Sequence, residues 1–258
     1  MKIPYFHIDA FTNKPFGGNY AGVVLLEKWL PDETLLNIAA DVHNETAFVV
    51  PQGEKFAIRW FTPATEVDLC GHATLSTGYV LFHHRGYNKP EIHLTSGVGD
   101  LVIGRQGDRV VLNFPSRPPK KIQPPQELLD GLGVLPLWTG KARDYFALLE
   151  NEKQVRSLAP NFAALAKLDS LGIIVTAPGV DCDFVSRFFA PRAGFDEDPV
   201  TGSAHCTLIP YWSEKLGKKN MFARQVSARG GELYCENAGE RVKIGGQAVT
   251  LLQGELEI

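Results

Sequence analysis

The chain has 258 residues, of which 44% are hydrophobic and 21% charged, a composition typical of a globular protein with one large or two smaller domains. Its net charge of −3 leaves no basic excess to neutralise phosphates, which disfavours a nucleic-acid partner or an anionic membrane. The apolar runs are much shorter than the roughly 20 residues of a transmembrane helix, and the N-terminal segment lacks a signal-peptide pattern. We therefore expect a cytoplasmic protein that does not span a membrane.

Neither the cysteines nor the known cofactor motifs indicate a bound metal or cofactor. Cys70, Cys182, Cys206 and Cys235 are too few and too scattered for a disulfide framework, and no C-x-x-C pair suggests structural zinc. Dinucleotide-binding, phosphate-binding, zinc-protease and serine-hydrolase motifs are also absent from the sequence. We expect neither a metal nor a cofactor.

The first half of the chain predicts strands alternating with two helices. The expected order is a strand over 22–26, a helix over 33–42, strands over 46–50 and 56–61, a helix over 73–83, and strands over 91–95, 101–104 and 110–114. The helix over 73–83 carries almost no charge, which is typical of a helix buried on all sides.

The second half repeats this order over 146–149, 162–168, 173–177, 184–189 and 204–216, followed by hairpins. Arg59-Trp-Phe-Thr-Pro63 matches Arg187-Phe-Phe-Ala-Pro191, and Gly107-Asp-Arg-Val110 matches Gly239-Glu-Arg-Val242, in the same chain order. We predict an α+β protein of two tandem similar domains, each with a curved, mostly antiparallel sheet around a central helix. The domains would cover 1–116 and 127–258, with a Pro-rich linker over 117–126 and a last strand able to return to the first domain.

Both central helices are expected to begin at a glycine, in Cys70-Gly-His-Ala73 and in Thr201-Gly-Ser-Ala204. The first amides of a helix have no intrahelical partner and carry partial positive charge, so each start is suited to a carboxylate. The glycines could equally serve tight turns, and Ser203 could serve as a cap. The acids Asp196, Glu197 and Asp198 precede the second start, where they either complement the helix dipole or titrate in a cleft.

Glu45 lies between a predicted helix end and an apolar strand, and the repeat aligns it with Leu171, so the second half has no equivalent carboxylate. A desolvated Glu45 would have a raised pKa and could exchange protons near neutral pH, whereas the alternative is a surface glutamate. Cys70 and Cys206 suggest a two-thiol racemase, but the repeat aligns Cys70 with Thr201. Both thiols are therefore interpreted as small buried apolar residues.

Several short motifs are spread over essentially the whole chain: Asp9-Ala-Phe-Thr12, Pro15-Phe16, Gly18-Asn19, Asn44-Glu-Thr-Ala-Phe48, Trp60-Phe-Thr-Pro63, Cys70-Gly-His-Ala-Thr74, Phe189-Ala-Pro191, Glu197-Asp-Pro-Val-Thr-Gly-Ser-Ala204 and Gly245-Gly-Gln-Ala-Val249. Together they resemble the PhzF-like phenazine-biosynthesis isomerase family. The resemblance implies a diaminopimelate-epimerase-like fold, a site in the cleft between the domains, and a homodimer.

The resemblance also implies roles for individual residues. Glu45 would be the acid–base residue, with His72 and Asp198 handling protons, while the substrate would be bound at Asn19, Gly71, Gly202 and Ser203. Two departures from the family pattern are Tyr20, where proline is usual, and Pro210, which is expected to kink the second central helix.

We therefore expect a cofactor-independent isomerase that moves a proton between carbons of a small carboxylated substrate by Glu45 acid–base catalysis in the cleft between the domains. The alternatives are an amino-acid racemase or epimerase on the same fold, and a non-catalytic protein that binds a small molecule or a partner.

Overall fold

The computed structural model describes residues 1–258 and divides them into two compact units. Unit 1 comprises residues 1–113 and 245–258, and unit 2 comprises residues 114–244. None of the helices combines the length and the apolar character needed to cross a membrane.

Unit 1 has the strand and helix order predicted for the first half, with an additional strand at each end and a short one before the second helix. Its elements are β1 (Lys2–Ala10), β2 (Asn19–Leu25), α1 (Asp32–Asp41), β3 (Thr46–Gln52), β4 (Lys55–Phe61), β5 (Glu66–Val67), α2 (Gly71–His83), β6 (Glu91–Ser96), β7 (Gly99–Gln106), most of β8 (Arg109–Pro115), and β18 (Ala248–Glu257). The C-terminal strand β18 pairs antiparallel with β1, with a bulge between His7 and Ile8.

Helix α2 is the buried helix that the sequence predicted. Ten of its residues are buried: His72, Ala73, Thr74, Leu75, Ser76, Thr77, Gly78, Val80, Leu81 and Phe82. Gly78 permits close packing of α2, because a Cβ at this position would lie 2.7 Å from side-chain atoms of both Ile103 and Val110. On the amphipathic helix α1, Leu35, Ile38 and Ala39 belong to a separate apolar cluster.

Unit 2 contains the elements predicted for the second half, and it has more short helices than unit 1. They are β9 (Lys120–Lys121), α3 (Gln126–Leu132), β10 (Trp138–Lys141), β11 (Tyr145–Leu148), α4 (Glu152–Ser157), α5 (Phe162–Leu165), β12 (Ile173–Pro178), β13 (Phe184–Ala190), a 3-10 turn (Pro191–Ala193), β14 (Phe195–Asp198), α6 (His205–Leu216), β15 (Asn220–Gln225), β16 (Gly231–Ala238) and most of β17 (Arg241–Gly246).

The two units share one pattern of strand pairing. In unit 1, β2 is parallel to β3, β3 is antiparallel to β4, and β4 pairs antiparallel with β5 and parallel with β6. In unit 2, β11 is parallel to β12, β12 is antiparallel to β13, and β13 pairs antiparallel with β14 and parallel with β15. The match in sequence is therefore accompanied by a match in topology.

This pairing corrects the counterpart of Glu45 by one residue. The amide of Gly22 donates to the Glu45 carbonyl at 2.9 Å, and the equivalent bond in unit 2 runs from Tyr145 to the Gly172 carbonyl at 3.1 Å. Gly172, and not Leu171, is thus the equivalent position. A Cβ on Gly172 would lie 2.0 Å from Cζ of Phe188, so packing in unit 2 leaves no room there for a side chain.

The Pro-rich segment 117–126 lies within unit 2 and does not form a separate linker. Its Lys120 and Lys121 pair antiparallel with Lys141 and Gly140 of β10. The backbone amide of Arg117 donates to the carbonyl of Cys206 at 2.8 Å. Proline interrupts a strand ladder only at its own missing N–H, so the remaining amides can still bond.

The bond from Arg117 also explains how α6 accommodates Pro210. A proline inside a helix leaves the carbonyl four residues earlier without its helical donor, and here that carbonyl belongs to Cys206. Because Arg117 supplies the missing hydrogen bond, helix α6 continues from His205 to Leu216.

Candidate active site

Glu45 is positioned by a turn between α1 and β3. His43 in this turn has a φ of 53°, in the left-handed region that costs a non-glycine residue about 1 kcal/mol or more. The carbonyl of Glu45 accepts the Gly22 amide at 2.9 Å, which aligns β3 with β2 from its first residue. The turn therefore fixes the backbone of Glu45 and leaves its side chain one-third exposed.

A buried polar network lies directly before Glu45. The amide Nδ2 of Asn44 is 3.2 Å from the Tyr5 hydroxyl and 3.1 Å from Nδ1 of His7. The His7 ring stacks on Tyr20 with ring centroids 5.7 Å apart, so the residue that replaces the usual proline contributes to this network. Burial raises the pKa of Tyr5, although its bond to Asn44 opposes the shift.

Helix α2 begins at Gly71, with Cys70 as its extended N-cap residue. The Cys70 carbonyl accepts both the amide of Thr74 at 3.0 Å and its hydroxyl at 2.6 Å. Cys70 makes no side-chain cap, so its thiol is available for other contacts. His72 follows within the first helical turn and is buried.

Glu45, Cys70 and His72 form one compact group, named here the Glu45–Cys70–His72 cluster. Oε2 of Glu45 lies 2.9 Å from Nε2 of His72 and 3.5 Å from Sγ of Cys70. The Cys70 sulfur is 3.6 and 3.7 Å from the two ring nitrogens of His72. Nδ2 of Asn19 lies 3.3 Å from Nδ1 of His72, on the side of the ring away from Glu45.

The cluster contains an ion pair. Burial raises the pKa of Glu45, but the charge and hydrogen bond of His72 and the hydrogen bond of Cys70 lower it further, so its pKa lies below the usual value. Burial lowers the pKa of His72, whereas its contacts with the Cys70 sulfur and the Glu45 carboxylate raise it well above its usual value. Because burial also raises the pKa of the Cys70 thiol, Glu45 is the anionic partner at neutral pH.

The prediction of a raised Glu45 pKa was therefore wrong. That prediction took account of desolvation alone. The sequence does not reveal that the His72 imidazole, at the start of α2, lies within hydrogen-bond distance of the Glu45 carboxylate. The ionised carboxylate that results is the form able to accept a proton.

The acids before the second helix start have three different environments. Asp196 is exposed. Glu197 forms a bidentate pair with Arg187, with N–O distances of 2.7 and 2.8 Å. Oδ2 of Asp198 accepts the Thr201 hydroxyl at 2.6 Å. Only Asp198 therefore points its carboxylate at the helix start, whereas Glu197 stabilises the β13–β14 pairing.

Gln225 organises the same turn. Its Oε1 accepts the Thr201 amide at 2.8 Å, and its Nε2 donates to the Asp198 carbonyl at 2.8 Å and to the Thr201 hydroxyl at 3.1 Å. Helix α6 begins at His205, one residue after the predicted start, because Gly202 and Ser203 lie in a turn whose carbonyls accept the amides of His205 and Cys206.

A cation also lies beside this turn. Nη2 of Arg143 donates to Oγ of Ser203 at 3.0 Å and to Oδ2 of the buried Asp144 at 2.7 Å. His205 is buried, and its Nδ1 donates to the Thr201 carbonyl at 2.9 Å. Burial lowers the pKa of His205 to about 4, so its ring is neutral at physiological pH.

The seven residues expected at the site form two groups. Unit 1 brings together Asn19, Glu45, Gly71 and His72, while unit 2 brings together Asp198, Gly202 and Ser203. The location of the site in a cleft between the domains stays a prediction.

The sequence did not indicate the contact of Cys70 with Glu45 or the hydrogen bonds made by Asn44, Arg143 and Gln225. Of these residues, only Asn44 could have been suspected from the sequence, because it directly precedes Glu45.

Cys206 has the environment predicted for it. It is buried in α6, and burial raises the pKa of its thiol to about 11. Cys70 is also buried but differs, since its sulfur contacts the two ionised groups of the cluster.

Comparison with known proteins identifies the fold and the family. The profile of the PhzC-PhzF family, described as phenazine biosynthesis-like protein, matches residues 8–254. An uncharacterized isomerase of Pseudomonas aeruginosa is 49% identical over the whole of both chains. The crystal structure of a PhzF-family phenazine biosynthesis protein of Enterococcus faecalis is 44% identical, covers both chains fully and superposes with a TM-score of 0.98.

A more distant structure supports the fold alone. A predicted epimerase of Pseudomonas aeruginosa, 19% identical, superposes with a TM-score of 0.78 over 98% of this chain and 99% of its own. The expected α+β, epimerase-like fold is confirmed, as is the expectation of an isomerase. The chain thus belongs to the phenazine biosynthesis-like (PhzC-PhzF) protein family.

Proposed function

We propose that this protein is a cofactor-independent isomerase in which Glu45 moves a proton between two carbons of a small carboxylated substrate. The observation that carries the proposal is the 2.9 Å contact between Oε2 of Glu45 and Nε2 of the buried His72. This contact keeps the carboxylate ionised in a partly enclosed place, as a general base requires.

In this mechanism Glu45 removes a proton from a carbon activated by a neighbouring double bond or carboxylate. The resulting neutral acid then returns the same proton to a nearby carbon. His72 orients the carboxylate through Nε2, and the Cys70 thiol donates to the same oxygen at 3.5 Å. Both contacts limit the rotation of Glu45, which favours reaction from one geometry.

We assign substrate-carboxylate binding to the helix starts. In unit 1 the first amides of α2, at Gly71 and His72, have no helical acceptor and are suited to an anion, and Asn19 would contact the substrate beside them. In unit 2 the turn at Gly202 and Ser203 adds the guanidinium of Arg143 to its amides. Asp198 would handle protons there, since its carboxylate already accepts the Thr201 hydroxyl.

Proton exchange in deuterated water tests the proposal across many candidate substrates at once. A panel of small unsaturated and cyclic carboxylic acids, followed by a pool of cellular carboxylic acids, is incubated with the protein, and deuterium incorporation is measured by NMR and mass spectrometry. We expect exchange with the wild type and a loss of about 10²-fold or more with Glu45→Gln. Glu54→Gln, at an exposed glutamate paired with Lys89, is the matched control and should exchange normally.

The test also separates the alternatives. Exchange confined to an α-carbon and abolished by Cys70→Ser would favour a racemase, although Cys206 as its second thiol lies buried in helix α6. Binding of an acid without any exchange would favour the binding-protein alternative. Full activity of Glu45→Gln would contradict the mechanism.

The homodimer and the cytoplasmic location remain expectations from the resemblance and the sequence. Sedimentation equilibrium of the purified protein would test the dimer, and fractionation of the source cells would test the location.

A further inference from the structure

The Glu45–Cys70–His72 cluster presents three different metal-ligand atoms to one point. A carboxylate oxygen, an imidazole nitrogen and a sulfur all lie within 4.8 Å of one another. Two of the three residues are buried, while the Glu45 side chain is 34% exposed and borders solvent. The three atoms also come from two separated chain segments, so folding creates the set before any ligand arrives.

The spacing of these atoms is close to that of a tetrahedral zinc site. Ligands held at 2.0–2.3 Å from a tetrahedral Zn²⁺ stand about 3.3–3.6 Å apart. The sulfur lies 3.5 Å from Oε2 of Glu45 and 3.7 Å from Nε2 of His72, and the oxygen and nitrogen are 2.9 Å apart. The oxygen–nitrogen distance must open by about half an ångström when an ion replaces the hydrogen bond. Because the sulfur is also 3.6 Å from Nδ1 of His72, the Cys70 side chain must rotate towards Nε2 to reach the same ion.

We propose that the Glu45–Cys70–His72 cluster binds one Zn²⁺ ion and that the bound ion inhibits the enzyme. Zinc binding rests on the geometry alone, whereas inhibition also rests on the proposed function of Glu45. As the Zn–S bond forms, the thiol proton passes to solvent, and the proton shared by His72 and Glu45 leaves in the same way. A carboxylate that coordinates zinc no longer accepts a proton from carbon.

The donor set selects the ion. Thiolate and imidazole favour Zn²⁺ over Mg²⁺ and Ca²⁺, which prefer sites made of oxygen atoms. Three protein ligands leave a fourth position for water on the exposed side of Glu45. The side-chain amide of Asn19 lies 3.3 Å from Nδ1 of His72, and with its Oδ1 turned towards the ring it would accept the Nδ1 proton and orient the ring when Nε2 binds the metal.

Titration calorimetry and competition with a chelator measure the binding directly. ZnCl₂ is titrated into the metal-free full-length protein, and MgCl₂ into a parallel sample. We expect one Zn²⁺ per chain and no Mg²⁺ binding. Cys70→Ser should weaken zinc binding about 100-fold or more, and Asn19→Ala should weaken it about 10- to 100-fold, the usual effect of losing an outer contact.

Cys182→Ser is the matched control, because Cys182 is the more exposed thiol and donates to the Phe184 carbonyl away from the cluster. This variant should bind zinc with the affinity of the wild type. Circular dichroism of Cys70→Ser verifies that it is folded. Equal zinc affinity of folded Cys70→Ser and the wild type, or no zinc binding at millimolar concentration, would overturn the site.

Co²⁺ provides a second measurement that does not depend on a variant. Bound at the cluster, it should show intense tetrahedral absorption bands and a thiolate charge-transfer band, both abolished by an equivalent of Zn²⁺. A weak octahedral spectrum without the thiolate band would contradict coordination by Cys70.

The inhibition is tested separately in the deuterium-exchange assay. One equivalent of Zn²⁺ should abolish exchange by the wild type, and a chelator should restore it. Zinc binding without loss of exchange would overturn the inhibition and leave the site intact. If zinc binds but no acid is ever exchanged, the proposed function fails while the metal site stands.

Discussion

The two units carry the same stabilising ion pair but different residues at their central helix starts. In unit 1, Arg59 pairs with Glu66 at 2.7 and 2.6 Å and lies over the Phe61 ring at 5.1 Å. The equivalent arrangement in unit 2 places Arg187 against Glu197 and over Phe189 at 4.8 Å. In both units the glutamate faces the phenylalanine across a pair of strands.

The helix starts differ in the side chains that surround them. At the start of α2, the Glu45 carboxylate meets a charged imidazole and a thiol. Before α6, Gly172 occupies the position of Glu45, and Thr201 is bound to Gln225 and Asp198. The ion pair that the units share stabilises strand pairing, whereas Glu45, which has no counterpart side chain in unit 2, carries the proposed proton abstraction.

The largest expected effect is on turnover and comes from Glu45→Gln. A carboxamide keeps the shape but does not accept a proton, so we expect a loss of about 10²- to 10⁴-fold in kcat. The loss of stability should be smaller than for Glu197→Gln, because the buried His72, unlike Arg187, can release its proton when its charged partner is removed. The exchange assay measures kcat, and urea unfolding measures stability. A comparable loss on replacing Glu197 with Gln would contradict the separation of roles between the units.

Glu197→Gln should produce the opposite result. Arg187 is only 12% exposed, so removing its charged partner leaves a largely buried cation, and we expect the free energy of unfolding to fall by about 3 kcal/mol. Exchange activity per folded molecule should be retained. Unfolding in urea monitored by circular dichroism gives the stability, and unchanged stability would contradict a structural role for the pair.

His205 should make the stability of unit 2 depend on pH. Its folded pKa of about 4 is below its usual 6.5, so between these values the unfolded chain binds more protons. The free energy of unfolding should therefore decrease as pH falls from 6.5 towards 4, by at most about 1.4 kcal/mol per pH unit. His205→Asn keeps a donor for the Thr201 carbonyl but does not titrate in this range.

Urea unfolding at pH 7, 6 and 5 distinguishes the two proteins through their slopes, because other titrating groups contribute equally to both. The variant should have the smaller slope, whatever its stability at pH 7. Equal slopes would contradict a neutral, buried His205.

The smallest effect is expected for Glu66→Gln, the unit 1 counterpart of Glu197→Gln. The Glu66 side chain is 43% exposed, so solvent stabilises Arg59 when the pair is broken, and Asp32 remains 2.8 Å away. We expect a loss of less than about 1 kcal/mol. A loss as large as that from Glu197→Gln would show that exposure does not explain the difference between the two pairs.

Much of the fold was predictable because it depends on local patterns. Apolar periodicity gave α1 and α2 to within two residues, and the matched runs in the two halves anticipated their common strand pairing. The domain boundaries were less predictable. Prolines over 117–126 suggested a linker, but bonds from Arg117 and from the Lys120–Lys121 strand place the segment in unit 2.

The sequence by itself determined the order of the elements, the burial of the central helices and a set of motifs specific enough to indicate the family. Only the tertiary structure decided the charge of Glu45, the contact of Cys70 with it and the replacement of Glu45 by Gly172 in unit 2. Element formation depends on neighbours along the chain. A pKa or a ligand set depends on distances of 3–4 Å between residues far apart in sequence, and these distances exist only after packing.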